Sequence, residues 1–259
     1  MNFDFRHITA PFRMQPGLQR MAPVAGHVTP LDTSSALYAE KLAVHAAGRS
    51  RLCLQGFDPG PALDVLKALG AHDGLPELAF EEDFAVLDTA AGTVPWLCVC
   101  VPSHWAPEEK LGLSLAAIHA PVAGGANLVA AMPAVTRLLA RGEPWERFVW
   151  TLTPSSRYDQ HPQRHPRAPW PATGDAAAFA AQCFLRAERQ TFLPVPGHAQ
   201  VLFTIRVMLQ PLVQAVREAS QAQRLRDALA SMSPEVLAYK GLAAARAPLL
   251  AWLQTFSGD

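Results

Sequence analysis

A small group of charged side chains interrupts two otherwise apolar, strand-like runs near residues 184–207. Arg186, Glu188 and Arg189 lie in the first run, and Arg206 lies in the second. Because side chains alternate along a strand, we expect Arg186 and Glu188 on one face and Arg189 on the other. A buried charge must be paired or must hold a counter-ion. The cluster is therefore either a structural ion pair or a clamp for a carboxylate, which suits the planar donor fork of arginine.

His119 is the histidine whose surroundings best suit a chemical role. It lies in the uncharged stretch Leu115–Val122, and Pro121 favours an extended or turned backbone just after it. An imidazole on an apolar segment is either a core side chain bonded to a carbonyl oxygen or a metal ligand. Composition alone makes the core reading the commoner one and leaves both open.

Three other patterns offer weaker signals. Cys98 and Cys100 are two residues apart, and we expect both on one face of a buried strand, without the second cysteine pair that a metal site needs. His161 and His165 have helical spacing, but the proline after each predicts a solvated loop. The segment Gly112–Ala116 lacks the closing glycine of a nucleophile elbow, and the chain has no glycine-rich phosphate loop.

The elements that must position these residues indicate an α+β fold with a mainly antiparallel sheet. Helices are predicted over residues 36–47 and 61–69, and a third begins at Ser233-Pro234 and ends at Gly241. Two hairpins are predicted, one from strands 84–88 and 96–101 and the other from strands 184–191 and 201–207. We expect a single domain with an extended arm over 1–35, a sheet core over 80–207, a long exposed loop over 154–175 and C-terminal helices over 208–259.

Composition excludes several classes of protein. The chain has 259 residues, of which 50% are hydrophobic and 17% charged, so it can bury a sizeable core and is not disordered. Its 22 basic residues balance 22 acidic ones. Proteins that bind nucleic acid usually carry an excess of basic residues, which this chain lacks, so we expect no nucleic-acid partner.

The chain also gives no signal for export or for a membrane. Asp4 and Arg6 interrupt the stretch where a signal peptide would need apolar residues. Leu111–Val135 has no Asp, Glu, Lys or Arg, but it contains prolines and glycines, which predicts a buried irregular segment rather than a membrane span. Four cysteines do not form a disulfide framework, so we expect reduced thiols and a cytoplasmic protein.

Several short motifs, in this order along the chain, resemble the heme-dependent oxidative N-demethylase family. They are Pro102-Ser103-His104-Trp105, Glu109-Lys110-Leu111-Gly112, Ile118-His119-Ala120-Pro121-Val122, Arg186-Ala187-Glu188-Arg189-Gln190-Thr191, Val201-Leu202-Phe203-Thr204-Ile205-Arg206 and Tyr239-Lys240-Gly241. The chain departs from the family pattern in four segments, namely Glu81-Glu82-Asp83, Arg147-Phe148-Val149-Trp150, Phe192-Leu193-Pro194 and Ile205-Arg206-Val207-Met208. In the second of them an asparagine is expected before the tryptophan.

The resemblance implies a PAS-like antiparallel sheet that holds heme b and uses it as an oxygenase. A flavin and iron-sulfur reductase would supply electrons, and O2 would oxidise the methyl group of a small alkylamine such as dimethylamine. The products would be formaldehyde and the demethylated amine. A non-catalytic heme or small-ligand PAS-like module and a structural subunit without a cofactor are the alternatives.

The resemblance also implies roles for individual residues. His119 would be the proximal iron ligand. Glu188 would either pair with one of the arginines or hold a protonated amine on the distal side of the heme. Trp105 and Phe203 would line the heme cavity. The candidates for binding the two heme propionates are Lys110, Arg186, Arg189 and Arg206.

Overall fold

A seven-stranded antiparallel sheet organises the protein in the computed structural model, which describes residues 3–22 and 26–257. The strands are β1 (Gln19–Arg20), β2 (Arg51–Cys53), β3 (Glu82–Asp88), β4 (Thr93–Cys98), β5 (Trp145–Thr153), β6 (Phe184–Pro194) and β7 (Gln200–Pro211). Their order across the sheet is β1-β5-β6-β7-β3-β4-β2. The predicted α+β class with an antiparallel sheet is confirmed.

Helices flank this sheet on both faces. They are α1 (Ala36–Ala46), α2 (Gly60–Ala68), α3 (Pro76–Ala79), α4 (Leu115–His119), α5 (Ala126–Leu139), α6 (Ala176–Ala180), α7 (Leu212–Ala215), α8 (Ala219–Ala230), α9 (Pro234–Lys240) and α10 (Arg246–Gln254). The predicted first two helices are confirmed within a residue at each end, because Ser35 caps the first and a proline begins the second.

Both predicted hairpins are present. Strands β6 and β7 pair over their whole length, and β3 pairs with β4 through a turn that places Gly92 at φ 70°. Strand β5 was not predicted, because adjacent charges at Glu146 and Arg147 obscure its alternation. It pairs with β6 along all nine of its residues and so completes the centre of the sheet.

The register divides the central strands into two faces. Directly paired residues point to the same side of a sheet, so each face can be followed from strand to strand. We call the side that carries Arg147 and Glu188 the front face. Its members on β5, β6 and β7 include Trp145, Arg147, Val149, Thr151, Arg186, Glu188, Gln190, Phe192, Phe203, Ile205 and Val207.

The C-terminal helices cover the back face. Helices α6, α8, α9 and α10 pack on Trp150, Leu152 and Leu185 in the largest buried cluster. Ser233 caps α9, and Gly241 ends it at φ 67°, as the local pattern predicted. Helix α2 packs on Phe84 and Trp96 at the other end of the same face.

Helices α1, α4 and α5 lie on the front face. Leu115 and Ile118 of α4 pack near Leu97, Phe192 and Phe203. The prediction that residues 111–135 are irregular is wrong, because α4 and most of α5 form there and the breaker residues fall mainly between them. No helix in residues 3–22 and 26–257 is both long enough and apolar enough to cross a membrane.

The arm and the long loop are tied to the body of the protein. Phe3, Phe5 and Ile8 of the arm are buried in the core behind the sheet. Residues 154–175 form no helix or strand, as expected, but Asp159 and His161 are buried rather than exposed. Much of the loop is thus a packed part of the structure. The expectation of a solvated His161 is wrong, because its ring contacts Glu108.

Candidate functional site

One strip of the front face is only partly covered by the rest of the chain. The front-face residues of β5 from Trp145 to Thr151 are half-buried, and so are Gln190 of β6 and Phe203 of β7. Helix α4 and the segment after β4 approach this strip through Trp105 and Leu115. Side chains of the sheet, helix α4 with His119, and the loop after β4 therefore meet at this strip.

His119 is the last residue of α4, whose first turn is capped by Ser114. Its Nδ1 lies 2.7 Å from the carbonyl oxygen of Leu115, one turn earlier. A carbonyl oxygen can only accept, so Nδ1 must carry the proton. In the neutral ring Nε2 then keeps its lone pair, which is the form that binds a metal. Burial lowers the pKa of His119, and the positive charges of Arg147 and Lys110 lower it further.

Glu188 is buried on the front face, with 8% of its surface exposed. The hydroxyl of Ser103 donates a hydrogen bond to its Oε1. Nε2 of Gln190, two residues along the same strand, donates to its Oε2 at 2.6 Å. The carboxylate is thus held at both oxygens by neutral groups, and within the described ranges no cation forms an ion pair with it.

Arg186 is also on the front face, and each nitrogen of its guanidinium donates a hydrogen bond to another residue of the protein. Its guanidinium donates to Ser103 Oγ at 2.7 Å and to the carbonyl oxygens of Val101 and Arg157 at 3.0 and 3.3 Å. Only 1% of its surface is exposed. Ser103 therefore stands between the positive charge of Arg186 and the negative charge of Glu188.

The backbone around Ser103 is held by the long loop. Gln160 and the segment 102–104 exchange backbone hydrogen bonds, and His104 has a left-handed conformation at φ 58°. Glu40 of α1 in turn accepts hydrogen bonds from the amides of Tyr158 and Asp159. Burial, with the nearby Arg167 and Arg186 charges, lowers the pKa of His104 to about 4, so this ring is neutral near pH 7.

Arg189 and Arg206 lie on the opposite, back face of the sheet. They are directly paired across β6 and β7, as the predicted alternation requires for Arg189. Arg189 binds Glu146 at 2.9 Å, and Arg206 binds Glu81 at 2.7 Å. The structure thus separates these two candidates from His119 and Glu188 and gives each a carboxylate of its own.

Lys110, Trp105 and Phe203 are on the same side as His119. The side chain of Lys110 forms no hydrogen bond or ion pair with any residue that the structure describes. Trp105 and Phe203 are half-buried and pack in the clusters that surround α4 and α1. Phe203 stacks on Phe192 with ring centres 4.6 Å apart.

The structure adds two front-face residues that sequence reasoning missed. Nε of Arg147 and Nε1 of Trp145 are buried, and neither has a hydrogen-bond partner among the residues described. Burial lowers the pKa of Arg147, and the negative charge of Glu188 opposes that shift. Alternation along β5 would have placed both residues on one face of that strand, had the strand been recognised.

The other sequence candidates do not assemble a site. Cys98 packs behind the sheet and Cys100 packs in front of it, so the prediction that they share a face is wrong. The strand ends at Cys98, and the regular alternation ends with it. In the part of the chain that the structure describes, no three His, Cys, Asp or Glu side chains cluster as ligands for a metal ion.

The comparison with known families agrees with the motifs that surround this site. A family model described as "Haem-dependent oxidative N-demethylase, alpha subunit-like" matches residues 65–250. This range is more than half of the chain and contains β3 to β7 together with His119, Arg147 and Glu188. The chain belongs to the haem-dependent oxidative N-demethylase alpha subunit-like family.

Proposed function

We propose that this protein is the heme-binding subunit of an oxidative N-demethylase that acts on a small N-methylated amine. The observation that carries the proposal is His119, whose Nδ1 is fixed by a carbonyl oxygen beside a partly uncovered sheet face that bears a carboxylate. Family membership supports the proposal. Heme b, a PAS-like arrangement of the sheet and a flavin and iron-sulfur reductase as partner follow from the same resemblance, and the sparse cysteines support a cytoplasmic location.

The residues present suit a heme. His119 would bind the iron through Nε2. Lys110 and the unpartnered indole N–H of Trp145 are donors that could bind propionate oxygens. Trp105 and Phe203 would supply apolar walls. Arg186 is the other propionate candidate on this face, although it already donates to protein acceptors, whereas Arg189 and Arg206 donate to carboxylates behind the sheet.

Glu188 would hold the substrate. Its carboxylate would bind the protonated amine, and Ser103 and Gln190 would keep it oriented. When bound, the heme supplies the activation of O2. One oxygen atom would enter a C–H bond of the methyl group and the other would leave as water, with two electrons from the reductase and two protons from solvent. The carbinolamine would then break its C–N bond to give formaldehyde and the demethylated amine.

The test is formaldehyde release by the heme-loaded protein. We expect formaldehyde from dimethylamine in the presence of O2 and a reductant, and none without O2. Glu188→Gln should keep the heme but lower the rate at limiting substrate by roughly 10- to 100-fold, because it removes a charge-assisted hydrogen bond. Glu235→Gln, at an exposed position of α9, is the matched control and should leave the rate unchanged.

Two results would count against the proposal. Absence of formaldehyde across a panel of N-methylated amines, with heme bound, would instead favour a non-catalytic heme-binding module. Equal rates for Glu188→Gln and the wild type would remove Glu188 from substrate binding.

A further inference from the structure

Arg147 and Glu188 are diagonal neighbours on the front face. Arg147 of β5 is paired with Gln190 of β6, and Glu188 is paired with Val149, two residues further along β5. Diagonal neighbours of this kind are about 7–8 Å apart, within reach of long side chains. No ion pair joins Arg147 and Glu188 among the described residues, so their opposite charges lie near each other without contact.

Arg147 is the member of this pair that lacks a partner. Its Nε is buried without a hydrogen bond, and the described residues give its guanidinium no carboxylate. The other three arginines of the central strands all have acceptors, namely Arg186, Arg189 and Arg206. An arginine remains charged when it is buried, so an unpaired one is unfavourable unless an anion binds it.

Glu188 has the complementary property. Neutral groups of Ser103 and Gln190 donate to its oxygens, which fixes the carboxylate but leaves its charge uncompensated by a cation in contact. Val149 and Gln190 flank the diagonal between the two charges, and the amide of Gln190 already donates to Glu188 rather than to Arg147. The pair therefore displays an anion-binding and a cation-binding group at a separation that one small molecule can span.

We propose that the substrate is a zwitterionic N-methylated amino acid, with its ammonium group on Glu188 and its carboxylate on Arg147. This inference rests on the proposed function, which it narrows from amines in general to N-methylglycine-like compounds. A simple alkylamine would bind Glu188 and leave Arg147 without an anion. A carboxylic acid without an amine would bind Arg147 and leave Glu188 without a cation.

Calorimetric titration of the heme-loaded protein tests this assignment. The probes are N,N-dimethylglycine, dimethylammonium and acetate. We expect N,N-dimethylglycine to bind at least ten times more tightly than either of the others. Arg147→Gln should remove that advantage while leaving the affinity for dimethylammonium unchanged, and Arg147→Lys should retain part of it. Arg137→Gln, an exposed arginine of α5, is the matched control and should match the wild type.

Three outcomes would overturn the inference. The first is equal affinity for dimethylammonium and N,N-dimethylglycine in the wild type. The second is a preference that survives in Arg147→Gln. The third is loss of heme from Arg147→Gln, which would show that Arg147 binds a propionate instead.

The proposed function fails with a different signature. If no heme is retained, or if N,N-dimethylglycine binds without release of formaldehyde, the demethylase chemistry is contradicted. A preference for the zwitterion that depends on Arg147, measured on the same protein, would still support the substrate-binding pair.

Discussion

Nδ1 of His119 lies 2.7 Å from the carbonyl oxygen of Leu115, one helical turn earlier in α4. From the sequence, a histidine bonded to a carbonyl oxygen and a histidine that binds a metal are alternatives. In the structure the two roles are compatible. The hydrogen bond to the carbonyl oxygen fixes the proton on Nδ1, and Nε2 is then the nitrogen that is free to bind a metal. Ser114 caps the start of α4, and the helix ends at His119, just before Pro121. These local signals therefore fix the position of Nε2 of His119.

Ser103→Ala should destabilise the protein. The change removes the acceptor of the buried Arg186 Nε and one donor to Glu188, and an unmet buried group of this kind costs about 1–3 kcal/mol. Urea unfolding would measure the loss. Ser103→Thr keeps the hydroxyl and should recover part of it, and the exposed Ser220→Ala is the control. An unchanged unfolding midpoint in Ser103→Ala would show that the bridge contributes nothing to stability.

Lys110→Gln and Arg189→Gln should separate heme binding from fold stability. The ammonium group of Lys110 has no protein partner among the described residues, so its loss should weaken heme binding by roughly tenfold or more, as expected for one charge-assisted hydrogen bond. Arg189 is bonded to Glu146 behind the sheet, so its loss should lower the free energy of unfolding and leave heme affinity unchanged. Hemin titration and urea unfolding measure the two effects. The reverse pattern would place the propionates behind the sheet.

The ionised carboxylate of Glu77 should stabilise the folded protein, so the free energy of unfolding should fall as the pH drops below about 4.5. This side chain is fully buried, and hydrogen bonds from Arg51 hold its pKa at about 2 despite the opposing effect of burial. A folded-state pKa below the ordinary value adds stability above about 4.5, and this contribution is lost as the pH falls towards 2.

Glu77→Gln should therefore cost about 3–5 kcal/mol near neutral pH, as for other broken buried pairs. The difference between wild type and variant should shrink as the pH falls from 4.5 towards 2. Urea unfolding at several pH values gives this comparison. A difference that stays constant over this interval would mean that the Glu77 charge does not contribute.

One thiol should react in the folded protein. Cys53 is exposed, whereas Cys98, Cys100 and Cys183 are buried. Burial raises the pKa of all three buried thiols, to about 12 for Cys183, and only the thiolate reacts. A disulfide reagent at pH 8 should therefore titrate one thiol before unfolding and four after it. Reaction of more than one thiol in the folded state, or persistence of the reaction in Cys53→Ser, would contradict this assignment.

Local signals in the sequence predicted the elements that depend on local interactions. Ser233, Pro234 and Gly241 define the ends of α9 because capping and a left-handed φ act within one turn. The alternation in β6 correctly separated Glu188 from Arg189 for the same reason. The prolines and glycines of residues 111–135 predict an irregular segment, but most of them lie between α4 and α5 and leave both helices intact.

The arrangement of the site depends on contacts that the sequence does not display. Ser103 and Glu188 are 85 residues apart, and only the packing of the loop after β4 against β6 brings them together. Arg147 became a candidate only when the register of β5 and β6 placed it diagonal to Glu188. The sequence also does not show that Arg189 and Arg206 form ion pairs with carboxylates behind the sheet. These ion pairs make both arginines poorer candidates for binding a heme propionate.

The visible spectrum of the protein supplied with hemin, compared with that of His119→Ala, tests the central claim most directly. We predict a Soret band in the wild type, a shifted or lost band in His119→Ala, and an unchanged band in His72→Ala, which alters an exposed histidine. A wild type without a Soret band would contradict heme binding. A His119→Ala spectrum identical to that of the wild type would contradict the assignment of His119 as the iron ligand.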